Sequence, residues 1–102
     1  MTDFDIIKFK NGSYDVNTSK LFDAFNCLHS ENKADQFIVE FANLSLNIFL
    51  KNAKEALKNN FTININDQKI YTSDTLAKWL STHGTSDFQH DMSIRFLKIF
   101  NE

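Results

Sequence analysis

Among its 102 residues the chain has one cysteine, two glycines and no proline. Each scarcity excludes something. A lone thiol, Cys27, cannot close an internal disulfide, so we expect a reducing compartment, the cytoplasm. Without proline no loop has a locked φ, and no helix meets a proline stop. Two glycines are too few for a phosphate loop or a dinucleotide-binding turn, and nothing resembling a G-x-S-x-G nucleophile elbow is present. No apolar run approaches the ~18 residues of a membrane span. The opening residues, Met1 to Asp5, lack the basic and apolar regions of a secretion signal. A strong excess of either charge sign is missing too. Eleven bases face 13 acids, for a formal net charge of −2. Residues 1–50 carry seven acids against four bases, and residues 51–102 carry six against seven. Neither half has the positive field of a phosphate-binding surface.

What is present is a globular composition: 42% hydrophobic residues, with 11 phenylalanines that argue against disorder. Twelve asparagines, 10 lysines and nine isoleucines, all with AT-rich codons, suggest an AT-rich genome or a mobile element as source. The length fits a single domain, residues 1–102.

Along the chain, residues 4–16 read as a β-hairpin turning at Asn11-Gly12, the preferred pair for a type I′ turn. Oxygens of Asn17-Thr18-Ser19 can cap a helix over 18–30, with Leu21, Phe22, Phe25 and Leu28 on one stripe. A long helix is predicted over 34–59. Phe37, Ile38, Phe41, Leu44, Ile48 and Phe49 recur at threes and fours, and Val39, Ala42, Leu46 and Leu50 widen the apolar arc beyond the ~100° of a surface helix. Residues 37–50 therefore read as the spine of the core, covered by the chain's own domain. An apolar residue left outside on this helix, or in the crowded stretch Ile94, Phe96, Leu97, Ile99, Phe100, would mark a partner site.

Strict alternation over Phe61 to Asn66 predicts a second hairpin, 61–72, turning at Asn66-Asp67-Gln68. Ser73 or Asp74 would cap a helix over 74–83, closed by Gly84. A last helix, 86–101, would turn Phe88, Met92, Phe96, Ile99 and Phe100 inward. The fold class is thus α+β and mostly helical: two hairpins, which make one small antiparallel sheet if they join edge to edge, packed with a long central helix and three shorter ones. Hairpin-then-helix occurs twice. Thr18-Ser19 matches Thr72-Ser73, Phe22 matches Leu76, Phe25 matches Trp79 and His29 matches His83, all at an offset of 54, a likeness that fits a worn duplication and equally the chance alignment of two capped amphipathic helices.

Signals for chemistry are sparse. Cys27, His29, His83 and His90 form no metal-ligand spacing. Cys27 lies within a helix pattern and not at a catalytic elbow. Asp87 and Asp91 with His90 suit the solvated first turns of a helix. We therefore expect no enzyme, no cofactor and no metal. The expected function is a protein-binding module that inhibits its partner by steric occlusion, of the toxin-immunity or phage anti-defence type. Exposed acids and aromatics, Tyr14, Asp15, Asp23, Asp67, Tyr71, Asp87 and Asp91, would meet a basic protein surface. Neither nucleic acid nor membrane is the expected partner, and a homodimer stays open. The alternative is a small phage-type transcriptional regulator using residues 73–100 as a helix-turn-helix, against which stand the acids at the start of its recognition helix.

Overall fold

A computed structural model describes residues 5–28 and 36–101. Its elements are β1 (Ile7–Lys10), β2 (Ser13–Val16), α1 (Thr18–Leu28), α2 (Gln36–Lys58), β3 (Ile63–Ile65), β4 (Gln68–Ile70), α3 (Ser73–Thr82) and α4 (Ser86–Phe100). The α+β class holds, with both hairpins, the long helix and three shorter helices. No helix of the described residues is long and apolar enough to cross a membrane. The predicted hairpin start at residue 4 and the helix ends at 29–30 and 34–35 lie outside the described residues.

Local chemistry explains the boundaries. Asn11 and Gly12 both take positive φ, 53° and 84°, so β1 returns directly as β2 with Lys10 opposite Ser13. Asn17 caps α1, its Oδ1 accepting from the Lys20 N–H at 3.1 Å. At the far end of α2, Asn60 takes φ 66°, and the Phe61 and Asn60 N–H groups reach back to the Ala56 and Leu57 carbonyls at 2.9 and 3.1 Å. This is a Schellman closure with asparagine in the glycine place. Thr72, not Ser73 or Asp74, caps α3. Thr85 caps α4, and Gly84 between them sits at φ 80°.

The two hairpins do join edge to edge, in the order β1-β2-β3-β4. The junction corrects the all-antiparallel expectation: β2 and β3 run parallel, Tyr14 opposite Ile63 and Val16 opposite Ile65. Parallel neighbours need a long crossover, and α1 with α2 supplies it, returning the chain to the end of the sheet where β2 began. Lys8, Asp15, Asn64 and Lys69 stand opposite one another in one row across all four strands. Val16, Ile63, Ile65 and Ile70 are buried against the helices.

Helix α2 corrects a second expectation. Its buried residues are Ala42, Ser45, Leu46, Phe49, Leu50, Ala53 and Ala56. Phe37, Phe41, Leu44 and Ile48, read as the core spine, are exposed. The helix has two apolar faces in its first half, but past Leu50 only the Ala53 and Ala56 side continues. That continuous face, whose alanines permit close packing, is the one that meets the core. In α4, likewise, Phe88, Met92 and Ile99 are buried while Ile94 and Leu97 are outside.

Rings tie α1 to the α3–α4 pair. Phe22 and Phe25 lie 4.8 and 5.3 Å from Phe88 between centroids, and Phe22 lies 6.4 Å from Trp79. Polar contacts tie α2 to α4. Arg95 donates from Nε to Asp91 at 2.7 Å and from Nη1 to Asn47 Oδ1 at 3.0 Å, and the Lys54 ammonium donates to the Ile99 carbonyl at 2.9 Å.

Candidate functional site

The seven residues singled out from the sequence are not brought together. Tyr14 is half-buried in an edge-to-face trio with Phe9 and Phe61, at 5.1 and 5.7 Å, which is a packing role. Asp15, exposed in the middle of the cross-strand row, accepts from Asn64 Nδ2 at 2.9 Å. Asp23 is exposed on α1, Asp67 at the β3–β4 turn and Asp87 in the first turn of α4. Tyr71 is exposed just after β4. Asp91 is committed to Arg95. None of the hydrogen bonds or ion pairs described joins two of the seven.

The residues weighed for chemistry are similarly scattered. Among the described residues no group of three or more His, Cys, Asp or Glu could hold a metal ion; His29 lies outside them. The His83 ring stacks on Trp79 with centroids 4.2 Å apart and planes within 10°. With its proton on Nδ1, His83 donates to the Trp79 carbonyl at 2.9 Å, closing the last turn of α3. Half-buried Cys27 has its thiol pushed above the ordinary range, first by burial and then by the Asp23 carboxylate one turn earlier. It is therefore held as the neutral thiol, the weaker nucleophile.

Residues 73–100 do form two packed helices about a short turn, His83-Gly84-Thr85. The second helix, however, engages Gln89 and Arg95, residue types able to pair with base edges, within the chain itself. Gln89 donates to the Gly84 carbonyl at 3.2 Å, and Arg95 folds back on α2. Outward it shows Asp87, His90, Ile94, Leu97 and Lys98, an acidic and apolar face with one lysine.

What the structure does bring together is apolar surface. One face is the α2 stripe, with Phe37 82%, Phe41 47%, Leu44 54% and Ile48 45% exposed. Beside it Asp5, Ile7 and Asn52 help to line a cleft of about 140 Å³ with Phe41, Leu44 and Ile48. The other lies between α3 and α4. There Ala77, Leu80, Phe96 and Leu97, rimmed by Lys78, Ser81 and Ser93, line a groove of about 280 Å³. Phe96 stacks on Phe100 at 4.0 Å, which stiffens one wall, and Leu97 is 59% exposed at the lip. Sequence reasoning missed this groove because it needs two helices at once. Its only signal was the excess of apolar residues over 94–100.

No family model matches the chain, and neither a curated protein nor a solved structure does.

Proposed function

We propose that the chain is a non-enzymatic protein-binding module that seats an apolar side chain of its partner in the α3–α4 groove and inhibits that partner by steric occlusion, as toxin-immunity and phage anti-defence proteins do. The observation that carries this is the groove itself: a concave, mainly apolar seat with an exposed leucine at its lip. Interfaces draw their energy from such buried anchors surrounded by a polar rim. The exposed acids Asp15, Asp23, Asp67 and Asp87, with the net charge of −2, would steer the chain toward a basic target.

Capture from a lysate with nuclease treatment tests this, using wild type and two groove variants. Leu97→Asp puts a charge on the lip, and Ala77→Trp fills the seat. The expected result is one protein recovered at near-equal stoichiometry, resistant to nuclease and bound about 30-fold more weakly by each variant. Unchanged thermal melts would show that Leu97→Asp spares the fold. Nucleic acid in the eluate, with a salt-dependent mobility shift on mixed DNA, would overturn this reading in favour of the helix-turn-helix regulator.

A further inference from the structure

We propose that the exposed stripe of α2 is closed by a second copy of this chain, with the two α2 helices antiparallel about a two-fold axis that passes between Leu44 and Ile48. This goes beyond the groove, which it leaves free for a partner.

The spacing of the stripe is the first support. Phe37, Phe41, Leu44 and Ile48 follow one another at four, three and four residues, the interval that keeps a seam facing a neighbouring helix. A surface placed at that interval is complementary to another helix of the same kind, and a two-fold pairing lets one patch serve on both sides. The helix is long enough, since 23 residues span about 34 Å.

Charge decides the orientation. Exposed Glu40 flanks the N-terminal half of the stripe, between Phe37 and Phe41 in the chain, and exposed Lys51 follows the stripe on its C-terminal side. Parallel helices would set Glu40 beside Glu40 and Lys51 beside Lys51. Antiparallel helices about the stated axis set Leu44 of each copy against Ile48 of the other, and bring Glu40 of each within reach of Lys51 of the other. The aliphatic stem of Lys51 would then cover the Phe41 ring while its ammonium stays at the rim. Area agrees. At the exposures given above, four side chains of this size present on the order of 400 Å² of apolar surface. That is half of the ~800 Å² per partner of a specific interface, with the polar rim supplying the rest.

Sedimentation equilibrium or light scattering on the full chain tests the proposal. The wild type should show a mass twice the 11.9 kDa of one chain in the micromolar range. Leu44→Asp and Ile48→Asp alter exposed positions and should keep the circular dichroism and melt of the fold while weakening the dimer about 30-fold or more. Glu40→Lys and Lys51→Glu should each weaken it roughly two- to fivefold, and the double variant E40K/K51E should recover wild-type association. Leu97→Asp should leave the mass unchanged, which separates failure here from failure of the groove. A monomeric wild type, or a dimer indifferent to both aspartates, overturns the interface. Loss of the dimer in the double charge-swap variant overturns the antiparallel orientation.

Discussion

The hairpin–helix–helix unit at residues 5–58 and the one at residues 61–101 share an element order but not a position in the sheet. In the first, Asn17 caps α1 and Leu21, Ala24 and Phe25 are buried. In the second, Thr72 caps α3 and Leu76, Trp79 and Leu80 are buried. Caps and buried triplets agree at an offset of 55, not at the 54 that side-chain likeness suggested. The cap explains the shift: Asn17 follows directly on β2, whereas Tyr71 intervenes between β4 and Thr72. Helix phase is set where the chain enters the helix, and similar side chains one place out of register point about 100° apart. The second strand of the first unit is interior to the sheet, while the second strand of the other, β4, is an edge. Like local patterns therefore ended in unlike surroundings.

The largest effect that would sharpen this comparison lies in the two glycine turns. Both glycines hold positive φ. A Cβ at Gly12 would meet nothing within 4 Å, but at Gly84 it would lie 2.8 Å from Phe88 Cδ1 and 2.9 Å from Phe22 Cε1. Gly84→Ala should cost about 2–4 kcal/mol, conformational strain plus overpacking, and Gly12→Ala only about 1 kcal/mol, as read by chemical denaturation. Equal losses would mean that the ring cluster yields freely to the new methyl group.

Next come the caps. Asn17→Ala and Thr72→Ala should each cost about 1 kcal/mol, since each strands one N–H of a first turn. Exchange to serine at either place should be nearly neutral. A cost confined to one unit would break the equivalence at offset 55.

The smallest effect concerns Cys27, which corresponds at that offset to Thr82, as Asp23 does to Lys78. Giving the first unit the charge of the second, Asp23→Lys, should lower the Cys27 pKa and speed alkylation by iodoacetamide at mildly alkaline pH. The sign follows from linkage. A raised folded-state thiol pKa adds stability that is complete below the unfolded pKa and is lost as pH rises through the folded value. The Asp23→Lys variant should therefore lose less stability than wild type as pH climbs past the ordinary thiol range. An unchanged alkylation rate would mean that the carboxylate is screened from the sulfur.

Much of the fold was legible because short-range chemistry wrote it. Asn11-Gly12 specified a turn, Asn60 and Gly84 ended helices through left-handed backbone, and alternation over 61–66 marked a strand. The candidate surfaces were half legible. Surplus apolar residues over 37–48 and 94–100 were visible, but the assignment of α2's stripe to the core was wrong. Two apolar faces on one helix are indistinguishable by periodicity until one is seen to continue, and here Ala53 and Ala56 decided. The acids and aromatics chosen for presumed exposure were dispersed, with Tyr14 packed in a ring cluster and Asp91 claimed by Arg95.

By itself, then, the sequence determined where elements begin and end, because caps, turns and alternation act within a few residues. Only the tertiary structure decided that β2 and β3 run parallel, that Phe41, Leu44 and Ile48 face outward, and that α3 and α4 enclose a groove. Each of these depends on which distant segments meet, and burial rewards any apolar face that finds a partner without recording beforehand which one it will be.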